Sequence, residues 1–204
     1  MKKLFSLLTV SLSCMTAGAQ TVNFEGLSAS VNINSVTTNS TISVLGSDFL
    51  NGIGQQSWKG SLQVAYGFSV NPSAVVSAGG IYTIGSVDAG SSVNSFTIRL
   101  KNAYSIYLEP SFLINDKTLA YAKLSYEAGS GTMALSGWGD RSRSIRGAGL
   151  GAGVRTMLTK ASFVQVEFRQ VNYNRIDAVS DGPFSGTSIK SKATLGTVGV
   201  GIKF

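Results

Sequence analysis

Histidine is absent from this 204-residue chain, cysteine occurs once, proline 3 times, and only 13% of the residues are charged. Each shortage excludes something. Without imidazole, the commonest general base and a common metal ligand are missing, which removes most hydrolytic mechanisms. A soluble domain carries about 25% charged residues, so a large part of the expected charge is absent. No uninterrupted apolar run reaches the roughly 18 residues that a spanning helix needs. An ordinary soluble enzyme and a helical membrane protein are both disfavoured. What the chain has instead is 24 glycines and a hydrophobic fraction of 43%, dispersed rather than gathered into blocks.

The first residues read as an address. Lys2 and Lys3 precede the apolar stretch 4–15, and Ala17-Gly18-Ala19 supplies the small residues of a cleavage site. This pattern predicts a signal peptide over 1–19, cut between Ala19 and Gln20, and one domain over 20–204. The lone cysteine, Cys14, falls in the leader, so the exported chain is predicted to have no thiol or disulfide. Lipidation at Cys14 is the alternative, although Ser11-Leu12-Ser13 is a poor approach to such a site. Loss of Lys2 and Lys3 lowers the net charge from +7 to +5, too modest an excess to predict a nucleic-acid partner.

Beyond the leader the hydrophobic period is two almost everywhere. Leu62, Val64, Tyr66, Phe68 and Val70 share one parity, and Ser61, Gln63, Ala65, Gly67 and Ser69 the other. Such alternation belongs to a pleated strand with one apolar face. It recurs at Leu27 to Ile33, Val76 to Ile84, Phe96 to Ile114, Ala120 to Tyr126, Ala148 to Val154, Val164 to Phe168 and Val198 to Phe204. In the fourth of these eight runs Leu100 is expected on the apolar face, and Arg99, Lys101 and Glu109 on the other. Eight antiparallel strands bring the first and last together, where pairing abolishes the edge.

Short and long connections alternate. Asn71-Pro72-Ser73, Asn115-Asp116-Lys117 and Thr159-Lys160-Ala161 read as tight turns, whereas 37–57, 85–95, 129–145 and 174–188 read as long loops. Asn51-Gly52 predicts a turn at or near the tip of the first loop. All six aspartates, Asp48, Asp88, Asp116, Asp140, Asp177 and Asp181, are expected in turns and loops. Short turns on one side and long loops on the other distinguish an outer-membrane barrel. Hydrocarbon cannot satisfy backbone amides and carbonyls, so a sheet in a bilayer must close on itself. Tyr66, Phe68, Tyr104, Phe112, Tyr126 and Phe204 are candidates for the aromatic girdles.

The chain resembles the eight-stranded outer-membrane barrels of the OmpA, OmpX and opacity-protein type from Gram-negative bacteria. The most specific piece is the ending Val198-Gly199-Val200-Gly201-Ile202-Lys203-Phe204, similar to the terminal strand of that family. The resemblance implies a closed all-β, up-and-down transmembrane barrel, with Val200, Ile202 and Phe204 read as an assembly signal by the barrel-assembly machinery. The glycine-rich run Gly147 to Gly153 is also like a strand common in the family.

Charges on the inward parity are the first candidate site. Lys59, Arg99, Lys101, Lys123, Arg155 and Arg169 face Glu109, Glu127 and Glu167 across the lumen in this reading, which admits a narrow anion-preferring path or a packed ion-pair network. An eight-stranded barrel has room only for its own side chains, which favours a network centred on Glu109, Lys123, Glu127, Arg155, Glu167 and Arg169. The second candidate lies in the third long loop, where Trp138, Arg141, Arg143 and Arg146 could meet phosphate or an acidic polymer. The alternative there is an ordinary solvated loop. Inward Gly147, Gly149, Gly151 and Gly153 are expected to make room for bulky neighbours such as Tyr107 or Tyr121.

Other chemistries find little support. Gly147, Gly149 and Ala152 fit a dinucleotide-type spacing but lie inside a strand. No paired cysteines or histidines suit zinc, and Asp177 and Asp181 lack the spacing of a calcium loop. No cofactor, metal or catalytic residue is predicted. The relatives that act as membrane enzymes rely on histidine, as the resemblance implies, and this chain has none. The sequence thus predicts a monomeric outer-membrane barrel with a side-chain-filled lumen, embedded among lipid and lipopolysaccharide and presenting four loops for envelope integrity, adhesion or ligand contact. The alternative function is a narrow, low-conductance channel.

Overall fold

The computed structural model describes residues 23–44, 47–92, 96–135, 139–177 and 187–204; the predicted leader lies outside them. Ten strands follow in order: β1 (Gly26–Val44), β2 (Ser47–Asn71), β3 (Ala74–Thr83), β4 (Val87–Ser92), β5 (Phe96–Asn115), β6 (Thr118–Leu135), β7 (Gly139–Met157), β8 (Ser162–Tyr173), β9 (Ile176–Asp177) and β10 (Thr187–Lys203). Eight of them, all but β4 and β9, are the staves of a barrel that the β1–β10 pair closes. Beyond the break at Gly85, which takes a left-handed φ of 84°, β4 pairs with β5. The short β9 pairs with β10.

The ladder around the ring fixes the barrel's geometry. From Ala29 the pairing runs through Val64, Gly80, Ile106, Tyr126, Ala148, Asn172 and Lys192 and returns to β1 at Asn39, ten residues from its start. Eight strands with this stagger tilt by about 40° and leave no open pore between bare backbones. Asn71 and Asn115 cap the two tightest turns, their Oδ1 atoms accepting from the backbone amides of Ser73 at 2.8 Å and Lys117 at 2.9 Å.

The alternation places apolar groups outside and polar groups inside. Leu62, Val64, Tyr66 and Phe68 are exposed on the wall of β2, while Ser61, Gln63 and Ala65 are buried in the lumen. Phe68, Phe112 and Phe204 lie toward the turn end, and Trp58, Tyr82, Tyr104 and Tyr126 toward the other. The outer wall therefore carries an apolar band between two aromatic levels, as a bilayer requires.

Three expectations change. The regions 37–57 and 129–145 are continued β-ladder, because β1 and β2 pair as far as Val44 and Ser47, and β6 and β7 as far as Leu135 and Gly139. Part of 85–95 is β4. Polar, Thr- and Ser-rich sequence keeps pairing beyond the hydrocarbon because the neighbouring strand is already held in register below it. Asn51-Gly52 is consequently no tip: the chain reverses between Val44 and Ser47, and Asn51 and Gly52 fall where β2 bulges opposite the Ser40 to Ile42 segment. By the same extension Asp48, Asp88, Asp140 and Asp177 belong to strands, and only Asp116 sits in a tight turn. Asp181 lies outside the described residues.

Candidate functional site

Strands β5 to β8 carry the lumen charges on neighbouring staves. Arg155 Nη2 lies 2.9 Å from Glu109 Oε1, and Glu109 Oε2 lies 3.3 Å from Lys123 Nζ. Lys123 also pairs with Glu167. From Glu167 the chain of contacts passes to Arg169 Nε at 3.5 Å, and Arg169 Nη1 reaches Glu127 Oε1 at 2.8 Å. Six side chains of alternating sign thus form one continuous series, with three carboxylates against three cations. Burial of such ions is costly unless each is paired, and Glu109 and Lys123 are wholly shielded from solvent. Lys123 lies 4.4 Å from the Tyr107 ring centroid and 5.3 Å from that of Tyr121, whose hydroxyl donates to Glu167 at 3.1 Å.

The facing wall is neutral. Gln165 links the halves: its Oε1 accepts from Arg155 Nε and Nη2 at 3.1 and 3.0 Å, and its Nε2 donates to Asn32 at 2.8 Å and Gln63 at 3.1 Å. Gln63 donates onward to the Tyr107 hydroxyl at 2.7 Å, and Asn34 accepts from Thr197 at 2.8 Å. Gln63, Gln165 and Asn32 were absent from the sequence-derived site. Their signal was a polar residue on the inward parity of an apolar strand, which charge alone does not reveal.

Apolar clusters close both ends of this polar layer. Phe24, Val75, Leu113, Leu119, Tyr121, Met157 and Phe163 fill the mouth beside the short turns. Val36, Leu100, Ile145, Val171 and Ala193 fill the other, with Ala103, Tyr173 and Leu195 against them. Ions would have to cross both. Glycines provide the space for the rings: a Cβ at Gly79 would stand 2.6 Å from the Tyr107 hydroxyl, and one at Gly153 would collide with the Tyr121 ring. Tyr107 is accommodated by β3 rather than by the glycine-rich strand.

Leu100 and Lys101 depart from the sequence reading. Between Lys101 and Tyr104 the ladder slips, and Asn102 adopts a left-handed φ of 52°. Two residues of β5 oppose one of β6 here, a bulge that inverts the parity above it. Leu100 is therefore buried in the upper plug and Lys101 is exposed on the outer wall. Lys59 keeps the inward parity, partly buried near the upper rim; the side chain of Arg99 lies outside the described set. Among the described residues the sealed layer holds three cations against three carboxylates.

The arginine group of the third loop lies on β7 and does not share one surface. Arg143 and Arg146 are both exposed, but three residues apart on a strand they take opposite faces. Arg141 stands opposite Met133 in the ladder, its side chain outside the described set, as is Trp138 altogether. Val200, Ile202 and Phe204 are exposed on the outer face of β10, beside the closing seam with β1.

Residues 5–204 match the outer membrane protein beta-barrel domain. The chain belongs to this family. It is a protein of the Gram-negative bacterial outer membrane. Among solved structures it is similar to OprG of Pseudomonas aeruginosa, with 11% identity and a TM-score of 0.51 over 88% of this chain and 97% of that one. It is also similar to Ail, the attachment invasion locus protein of Yersinia pestis, with 17% identity and a TM-score of 0.50 over 88% and 99%. At these identities the likeness is one of fold. No curated protein matches the sequence.

Proposed function

We propose that this outer-membrane barrel is a sealed, non-catalytic scaffold that works as a monomer, contributing to envelope integrity and holding extended β-hairpins at the cell surface for contact with an external ligand. The observation that carries this reading is the lumen, in which a charge-balanced ion-pair series lies between two apolar plugs. Water-filled conduction needs a continuous polar path, and each plug interrupts it. The β1–β2 and β6–β7 ladders continue above the upper plug, which supports a role in presenting surface. Delivery to the membrane depends in this reading on Val200, Ile202 and Phe204, read by the barrel-assembly machinery.

Planar-bilayer recording of refolded residues 20–204, after a heat-modifiable gel shift has shown the barrel, tests the proposal. The expected record is electrically silent. Reproducible single-channel steps whose ion selectivity moves when Arg155 is neutralised would replace the scaffold with a narrow channel.

A further inference from the structure

The plug beside the short turns is not built by the wall alone. Val75, Leu113, Leu119, Tyr121, Met157 and Phe163 come from β3, β5, β6, β7 and β8. The remaining member, Phe24, precedes β1 and belongs to no stave. Near this mouth the inner parity of β1, β2 and β10 carries Ser28, Gly67 and Gly201, all too short to reach across it. The Phe163 ring occupies the space over Gly201, and Phe24 crosses Gly67 so closely that a Cβ there would collide with its carbonyl oxygen. Small residues on three neighbouring staves thus leave a gap, and the Phe24 ring, 8% exposed, fills it.

The path of the chain is that of a strap and not of a frayed strand end. The β1–β2 ladder stops at the Gly26–Gly67 pair although β2 runs on to Asn71. Gly26 takes a left-handed φ of 91°, which glycine adopts without strain, and the residues before it turn off the wall into the mouth. Asn23 Nδ2 then donates to the Asp116 carbonyl at 2.8 Å, on the tight turn between β5 and β6. Residues 23–25 therefore reach from β1 toward the opposite staves of the ring, and of the three only Phe24 is buried. Behind the ring the lumen is polar. Ser77, the next inward residue of β3 after Val75, pairs with Glu109 in the β3–β5 ladder, and both are buried. On β1, Ser30 and Asn32 lead to Gln165, which accepts from Arg155.

We infer that residues 23–25 are a strap that stoppers the turn-side mouth, and that withdrawing Phe24 admits water to the ion-pair layer from that side alone. The plug at the other end is carried entirely by staves, so it stays in place when the strap leaves. Short turns lie on the periplasmic side of such barrels, which makes the periplasm, and not the exterior, the compartment that wets the layer. Water weakens the ion pairs by replacing the low dielectric in which they are strong. The strap is thus a switch between a dry, rigid lumen and a softer cup open on one side. This inference rests on the sealed lumen proposed above.

Thiol access tests the strap, since residues 20–204 contain no cysteine. Ser77→Cys places a reporter behind the ring, where the serine is 3% exposed, and a small cationic methanethiosulfonate labels it in the refolded barrel. With the strap unchanged, labelling is expected to be slow. Phe24→Ala should speed it about 10- to 100-fold, because burial of the ring sets how often the mouth opens. Asn23→Ala should speed it about 3-fold, and Phe24→Leu, which keeps an apolar stopper, by less than about 3-fold. Asn23 lies outside the wall, so its variant decides the point if Phe24→Ala fails to fold. Planar-bilayer recordings of Phe24→Ala should stay silent. Fast labelling with the strap unchanged, an unaltered rate in Phe24→Ala or Asn23→Ala, or an equal rise in Phe24→Leu and Phe24→Ala would overturn the strap. Conduction by Phe24→Ala alone would overturn one-sided opening. Conduction by the unchanged barrel would refute the sealed lumen and the strap with it, whereas a silent unchanged barrel confines any of the other failures to the strap.

Discussion

Replacing Lys123 by Met should expose how far the lumen series stabilises the barrel. Lys123 is wholly buried and contacts Glu109 at 3.3 Å, Glu167, and the rings of Tyr107 and Tyr121. Methionine has nearly its shape, so packing is kept while one positive charge is lost. Glu109 retains Arg155 at 2.9 Å and Glu167 retains Arg169 at 3.5 Å, but the series carries a net charge of one negative unit in a closed apolar compartment. Removing one member of a buried pair costs about 3–5 kcal/mol. Adding Glu167→Gln to Lys123→Met restores the balance, and the double variant should recover about 1–3 kcal/mol relative to additive losses. Reversible urea unfolding in lipid vesicles, followed by tryptophan fluorescence and by gel mobility, measures both. A loss below about 1 kcal/mol for Lys123→Met, or no recovery in the double variant, would show that the series is not a coupled unit.

Three further outcomes follow from the same geometry. Gly79→Val forces atoms against the Tyr107 hydroxyl and the strand behind it, and should destabilise by about 1–3 kcal/mol in the urea assay. Asn102→Val, at a left-handed φ of 52°, should cost about 1–2 kcal/mol whereas Asn102→Gly stays near neutral; equal stability of the two would remove the bulge as a strained element. Phe204→Ala should lower the amount of barrel inserted in cells while leaving in vitro refolding almost unchanged, because the ring is 71% exposed and contributes little packing; an equal deficit in both settings would make Phe204 a stability residue instead of an assembly signal.

Eight staves were legible because each alternates apolar and polar residues in a period that only strands share. The three tight turns were equally plain from Asn71-Pro72, Asn115-Asp116 and the Thr159 segment. What escaped the sequence has a common cause, that period and composition are blind to local slips and to partners on other strands. The inversion at Leu100 and Lys101 turns on one extra residue opposite β6, and nothing in Leu100-Lys101-Asn102-Ala103 announces it. Asn51-Gly52 carried a turn signal that pairing with β1 overruled. Charge on the inward parity identified the six residues that the structure brings together, but not their order. Gln165, which joins the charged wall to the neutral one, needed the closed ring to become visible.

The bonds that close the ring also constrain how it can form. Gln165 and Asn32 are 133 residues apart in sequence, Ser40 and Ser191 are 151 apart, and Thr197 and Asn34 are 163 apart. Contacts of such high order are reached slowly, since loop entropy is lost before any of them is gained. Until β10 arrives, β1 has a bare edge and the amides of its inward face lack their distant partners. A nascent chain therefore cannot mature stave by stave within hydrocarbon. The strand that completes β1 is the one made last of the eight, so commitment to the bilayer has to wait for β10, and an escort must cover the open edge in the meantime.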